Sequence, residues 1–353
     1  MKRFDPRPQI VAMSNYHSPQ VDVPVRLNTN ESPFPPPSAW TESLGGIAAG
    51  IDWNRYPDRG VRELRAEIAR RHGTTGANVF VGNGSNEVLQ LILLAFGGHG
   101  RSVAMFEPTY QMYAQIARVT GANVVTGERR ADFTLDPMEI ERVMDREGPA
   151  VTFLCNPNNP TGVVEPRSNL QVLLERATGL VVVDEAYAEF SDWSAVDMVR
   201  DDLPLVVTRT FSKTLSLAAL RVGYVVAPRA VIEALEVASL PYHVDSFKQA
   251  ATLAALGYTD EMVARVSLIK SERGRIAAGL TAAGCETWPS GANFLLFRPQ
   301  RITAAALWQG LLDAGILVRD CSGWPRLAGC LRVTVGTEAE NSAFLAAVAE
   351  LSA

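Results

Sequence analysis

Between residue 77 and about residue 227 the chain alternates short apolar runs with amphipathic segments, and few folds accept that rhythm. "NVFVGNGSNEVLQLILLAFG" reads as strand, glycine turn and helix, and "SVAMFEPTYQMYAQIARVTGA" repeats the order. "AVTFLCNPNNPTG", "LVVVDEAYAEF" and "LPLVVTRTFSK" are further strands, each running into a polar segment. Strands of four to six apolar residues without alternation are buried on both faces, which predicts an α/β domain with a mostly parallel sheet sandwiched by helices. Composition shifts near "PYHVDSFKQA". From about residue 258 a long amphipathic helix, the strand-like "NFLLF", a helix at 303–314, "GILVRD", "LRVTVG" and a last helix predict a small α+β domain. The proline cluster "SPFPPP" at 32–37 cannot be helical and reads as an extended arm. At 353 residues the chain exceeds one ordinary core. The expected division is an N-terminal arm (1–35) packing with the small domain or a partner subunit, a large domain (36–257) and a small C-terminal domain (258–353).

Charge and cysteine usage narrow the possible partners. The net charge is -5 and no long basic run occurs, so neither nucleic acid nor a membrane surface is expected as a partner. The first twenty residues contain no apolar core of a leader, and no stretch reads as membrane-spanning. Cys155, Cys285, Cys321 and Cys330 form no CxxC pair and lack spaced histidine partners, so buried free thiols, no metal and a reducing cytoplasm are expected.

In a parallel α/β sheet ligands lie beyond the carboxyl ends of the strands, so the residues that follow each apolar run carry the chemistry. They are "GNGSNE", "EPTYQMY", "CNPNNPTG", "DEAYAEF" and "RTFSK". In "GNGSNE" Glu87 occupies the place of the third glycine of a dinucleotide fingerprint. What is left is a glycine turn opening a helix: either an ordinary connection, or a phosphate cradle built from the free N–H groups of Gly84, Ser85 and Asn86. Asp184 ends an apolar run and must be paired or hydrogen-bonded; helix cap, structural ion pair and functional carboxylate all remain open. Tyr187 reads equally as core, and Asn159 as a turn residue before proline. Lys213 is a solvated loop lysine or a reactive amine. Thr210, Ser212 and Thr214 are neighbouring donors, and Arg221 follows one apolar turn later. Two cations and several hydroxyls imply an anion with a reactive group beside it, and nearby positive charge with partial desolvation would depress the amine pKa. A carboxylate, a phenol, an amide, a phosphate cradle and a primary amine are together what pyridoxal phosphate requires.

Over nearly its whole length the chain resembles the aspartate aminotransferase superfamily of fold type I pyridoxal-phosphate enzymes, and within it the branch acting on histidinol phosphate. The resemblance is carried by "RLNTNESPFPPP", "NRYPD", "GNGSNE", "EPTYQMY", "CNPNNPTG", "VVVDEAYAEF", "TRTFSKTLSLAALRVGY" and "GCLRVTVGT", in that order. It implies that the large domain binds pyridoxal 5'-phosphate, that Lys213 anchors the cofactor covalently and acts as general base, and that Asp184 pairs with the pyridine nitrogen. It also implies that Tyr187 and Asn159 donate to the ring oxygen and that Tyr110 stacks on the ring. Gly84, Ser85, Asn86, Thr210, Ser212 and Arg221 would surround the phosphate, with Tyr56 reaching it from the partner subunit of a homodimer. Arg332 would clamp the substrate carboxylate, Arg319 would contact a second anionic end, Tyr16 would belong to a lid, and Asn28 and Asn30 would line the substrate side. The histidines His17, His72, His99 and His243 match no motif.

The implied activity is a ping-pong transamination between an amino donor and a 2-oxo acid, first of all histidinol phosphate with 2-oxoglutarate. Aromatic amino acids are the alternative donors; phosphothreonine decarboxylation and a non-catalytic binding module stand behind them. Which bond breaks depends on substrate placement, which no motif encodes.

Overall fold

The structure is a computed structural model of the 353-residue chain, described for residues 5–11, 13 and 19–353. Its larger sheet is built from β2 (Val79–Gly82), β3 (Ser102–Glu107), β4 (Asn123–Glu128), β5 (Val151–Cys155), β6 (Leu180–Asp184), β7 (Leu205–Thr210) and β8 (Gly223–Val226). The strand order is β2-β8-β7-β6-β5-β3-β4. From β7 to β4 every pairing is parallel, while β8 runs antiparallel to both β7 and β2. Period-two alternation divides each strand between two cores. Val151, Phe153 and Cys155 face the helices Ser85–Phe96, Met112–Thr120 and Arg229–Ala238. Leu154, Val181, Val183 and Val207 face Pro137–Glu147 and Arg167–Arg176 on the other side. A third cluster closes the β2–β8 edge against the helices Ser38–Ala49, Arg62–Arg71 and Ser246–Leu256.

The second sheet has the order β1-β11-β12-β10-β9, from β1 (Val25–Leu27), β9 (Cys285–Thr287), β10 (Phe294–Pro299), β11 (Ile316–Asp320) and β12 (Leu331–Thr334). The arm enters this sheet directly, since β1 pairs parallel with β11, Leu27 opposite Val318. The helices Thr259–Ala282, Ala304–Asp313 and Glu338–Leu351 bury one face. The last of these opens with a full capping box, in which Thr337 and Glu340 satisfy each other's backbone N–H groups. Across the other face Arg319, Arg332 and Leu296 are register neighbours, so they project on the same side of the sheet.

Candidate active site

A cavity of about 530 Å³ opens at the carboxyl ends of β5, β6 and β7, between the two sheets. Its walls include Ser85, Asn86, Tyr110, Asn159, Asp184 and Tyr187. They are joined by Thr210, Ser212, Lys213, Arg221 and, from the second sheet and arm, Arg332, Asn28 and Asn30. Residues widely separated in the chain meet because parallel strands deliver all their following loops to one edge.

One end of the cavity is built for an anion. Gly84 precedes the first turn of the helix Ser85–Phe96 at φ 85°, and a Cβ there would lie 2.6 Å from Arg221 Nη2. Gly223 is equally constrained, since its Cβ would meet the Ser85 nitrogen at 2.3 Å. The Gly84 N–H is not free, because it donates to the Gly82 carbonyl at 2.9 Å; Ser85 and Asn86, at the positive end of the helix dipole, line the cavity beside the Arg221 guanidinium. Ser212 N–H donates to Thr210 Oγ1 at 3.1 Å, and the two hydroxyls lie 3.0 Å apart. Thr214 does not join them: its hydroxyl turns away and donates to Glu189 at 3.2 Å.

The floor is polar and buried. Asp184 is buried; its Oδ2 accepts the Tyr113 hydroxyl at 2.7 Å and its Oδ1 the Ala186 N–H at 3.1 Å. Burial raises the Asp184 pKa, and the two hydrogen bonds oppose that rise. Tyr187 Oη accepts from Asn30 Nδ2 at 2.9 Å and lies 3.5 Å from Asn159 Nδ2, while burial holds the phenol far above its ordinary value. Above the Tyr187 ring, 5.9 Å from its centroid, stands the Lys213 amine, which donates to the Thr29 carbonyl at 3.1 Å. Burial, then the charges of Arg332 and Arg221, bring the amine down to about 7, with Glu31 opposing. Lys213 is therefore neutral in a large fraction of molecules near neutral pH, as a nucleophilic amine must be. Tyr110 Oη donates to Asn86 Oδ1 at 3.1 Å, tying the ring to the helix that opens at Ser85.

At the opposite end Arg332 Nη1 donates to Asn159 Oδ1 at 2.6 Å and Nη2 to the Asn28 carbonyl at 2.9 Å; its buried Nε has no hydrogen-bond partner among the described residues. Asn30 is held at φ 55° by Thr334, and Asn293 donates to its carbonyl. Arg319 is not in the cavity wall; its guanidinium lies over the Trp324 ring, 5.4 Å from the centroid, and the indole lines the cavity instead. Tyr56 is also absent from the wall. It is 81% exposed and stacked on Tyr242 with centroids 4.5 Å apart. Tyr16 and His17 lie outside the described residues. His72 binds the Tyr224 hydroxyl at 2.9 Å and is lowered to about 4 by burial, and His243 binds the Val81 carbonyl at 2.9 Å. Among the described residues no cluster has the composition to hold a metal ion, and all four cysteines are free and buried.

Sequence reasoning missed Thr29, Tyr113 and Trp324. Thr29 acts through its carbonyl, which has no side-chain signature. Tyr113 follows Tyr110 by three residues in "PTYQMY" and enters the helix Met112–Thr120 just after the residue that lines the cavity. That spacing was the available signal.

The chain matches the family described as aminotransferase class I and II over residues 22–348. It is 44% identical to the histidinol-phosphate aminotransferase of Frankia casuarinae, covering 97% of this chain and 89% of that one. The enzyme of the same name from Streptomyces avermitilis is also 44% identical, with coverage of 98% and 96%. Among solved structures, histidinol-phosphate aminotransferase from Sinorhizobium meliloti in complex with pyridoxal-5'-phosphate superposes with a TM-score of 0.89 at 25% identity, covering 100% of this chain and 98% of that one.

Proposed function

The chain belongs to the class I and II aminotransferases, and on that premise we propose that it moves the amino group of histidinol phosphate to 2-oxoglutarate, yielding imidazole acetol phosphate and L-glutamate in histidine biosynthesis. The resident cofactor in this reading is pyridoxal 5'-phosphate. One observation carries it: an amine lowered to about 7, Lys213, lines the same cavity as the buried Asp184 carboxylate and the buried Arg332 guanidinium.

The residues fit the cofactor. A glycine whose Cβ would collide with Arg221 opens a helix N-terminus suited to a phosphate, a buried carboxylate suits a ring N–H, and Tyr187 with Asn159 offers donors to a phenolic oxygen. When bound, pyridoxal phosphate supplies an aldehyde to carry the amino group and a ring that accepts electrons from the substrate α-carbon. Lys213 Nζ would anchor that aldehyde and, when free, would hold the proton that moves between the substrate α-carbon and the cofactor. Asp184 would pair with the ring nitrogen and favour its protonated form. Ser85, Asn86, Thr210, Ser212 and Arg221 would hold the phosphate, and Tyr110 would stack on the ring. Arg332 binds the phosphate end of the donor in one half-reaction and a carboxylate of the acceptor in the other, and its unpartnered Nε supports a further contact to either anion. Trp324 bounds the substrate end, with Arg319 stacked on its indole from outside the wall.

The same reading makes the active unit a homodimer in the cytoplasm, with Tyr56 serving the partner's cofactor and Tyr16 closing over the substrate. Exposed Trp53, Leu240 and the Tyr56–Tyr242 stack support the dimer. The functional division at residues 35 and 257 belongs to this proposal too. Half-reaction rates, followed by the change in visible absorbance of the loaded enzyme, compare histidinol phosphate with phenylalanine and phosphothreonine. Histidinol phosphate is expected to react fastest; an equal or faster response to phenylalanine contradicts the assignment.

A further inference from the structure

Directly behind the cavity floor, and outside its wall, lies a tyrosine with no solvent exposure, Tyr113. Its hydroxyl donates to Asp184 Oδ2 at 2.7 Å. The direction of that hydroxyl is set on two sides: the ring lies parallel to Phe153 of β5, centroids 4.4 Å apart at 6°, and meets Tyr110 edge-on at 5.4 Å and 84°. Asp184 is set equally firmly, because its other oxygen accepts the Ala186 N–H. A tyrosine that served packing alone would be as well replaced by phenylalanine, whereas here the phenol oxygen is spent on the buried carboxylate of the cavity floor.

We propose that Tyr113 is a positioning residue for the reaction: its hydroxyl, donating from behind the cavity floor, holds the Asp184 carboxylate ionised so that the proton at the ring nitrogen of bound pyridoxal phosphate stays on the nitrogen. The inference rests on the reading of the site given above. Proton position between a pyridine nitrogen and a buried carboxylate is a competition, and burial by itself favours the neutral carboxylic acid. A neutral donor on the carboxylate lowers its proton affinity without adding a charge that would repel a pyridinium. The donor is permanent, since burial and the Asp184 charge keep the Tyr113 phenol protonated far above its ordinary value. The Cys155 thiol, in β5 opposite Asp184, is pushed up to about 12 and so contributes no competing anion.

The test is Tyr113→Phe in the holoenzyme loaded with cofactor labelled with nitrogen-15 in the ring, read by nitrogen NMR beside steady-state rates. The expected result is a ring-nitrogen resonance displaced from the pyridinium toward the neutral pyridine position. With it kcat falls roughly ten- to a hundredfold, the scale of a lost hydrogen bond to a charged group, while KM stays within about twofold. A purely structural role would lower thermal stability and leave the nitrogen where it is. Phe153→Leu, which keeps the hydroxyl but loosens the ring that aims it, gives an intermediate displacement and decides the matter if Tyr113→Phe does not accumulate as folded protein. A wild-type enzyme with a pyridinium signal and unmoved signals in the variants overturns the inference alone. A wild-type enzyme whose bound cofactor carries no ring proton overturns both the inference and the reading of Asp184 beneath it.

Discussion

Lys213 is the group on which pH acts most directly. Its folded value of about 7 lies below the 10.5 of a free amine, chiefly through burial and secondly through Arg332. Between those two values the unfolded chain holds a proton that the folded chain lacks, so this one group makes the cofactor-free fold more stable as pH rises across that window, and its full cost is felt below it. The same shift governs reactivity. In cofactor-free protein, acylation of Lys213 by an amine-directed reagent, followed by peptide mass mapping, is expected to reach half its limiting rate near pH 7; a rate still climbing steeply around the free-amine value contradicts the depressed pKa. Arg332 gives a second residue-scale prediction. Its two terminal nitrogens bind different partners, Asn159 Oδ1 and the Asn28 carbonyl, which a single ammonium cannot reproduce while also meeting a planar anion. Arg332→Lys should therefore lower kcat/KM by roughly ten- to a hundredfold, an order of 1.5–3 kcal/mol for a charged hydrogen bond, and should do so for both substrates. An effect confined to kcat with one substrate would move Arg332 out of the shared anion site.

Elements buried on both faces were the most legible in the sequence. β5 and β6 are apolar but for Thr152 and the terminal Asp184 because each is covered twice, and the polar residues after them mark the cavity edge. β4 was not anticipated: "NVVTGE" is half-exposed at the end of the sheet, with too little apolar periodicity to stand out. Short β1 owes its strand character to pairing with β11, nearly three hundred residues away, and no local pattern announces that. The site divides in the same way. Asp184 ends β6, and Asn159 and Lys213 come within one short turn after β5 and β7, so all three could be read from position, whereas the Thr29 carbonyl and Trp324 arrive from the arm and from the turn between β11 and β12. Thr214 was read as one of a cluster of donors, and the chain turns it instead onto Glu189, itself bound to Arg209. The turn between β2 and the helix Ser85–Phe96 carries the element-scale prediction. Gly84 has φ 85° and ψ 161°, a region essentially reserved for glycine and costing other residues about 1–3 kcal/mol, and an added Cβ would press on Arg221. Gly84→Ala is expected to lower the melting temperature of the cofactor-free protein and to speed loss of cofactor on dialysis. Wild-type retention in the variant would show that this turn does not hold the phosphate.

Across the whole molecule the cavity is closed by contacts that run between the sheets rather than within either. Arg332 on β12 reaches Asn159 beyond β5, Asn30 of the arm binds both Tyr187 and Thr334, and the Tyr187 ring meets Phe294 of β10 edge-on at 5.1 Å. Away from the cavity, the buried Arg129–Glu165 pair and Asn169 tie the end of β4 to the helix Arg167–Arg176, a network that is costly to break on one side only. Tyr56 fits neither arrangement. A tyrosine 81% exposed, stacked on Tyr242 near exposed Leu240, contributes little to the stability of a single chain, yet it is reasonable at an interface that two copies share. The expectation is a particle of twice the 38.3 kDa chain mass by sedimentation. A two-fold partner that lends Tyr56 to the opposite cavity has a consequence that dimerisation by itself does not. Lys213→Ala and Tyr56→Ala should then each be impaired, one at its own cavity and one at its partner's. In a mixed dimer both lesions fall on one cavity, and the other combines an intact lysine with an intact tyrosine. Mixing the two variants under conditions that exchange subunits should then restore activity above either parent. A dimer of the expected mass that exchanges subunits and recovers nothing would mean that each chain completes its own site, with the Tyr56–Tyr242 stack serving only the contact.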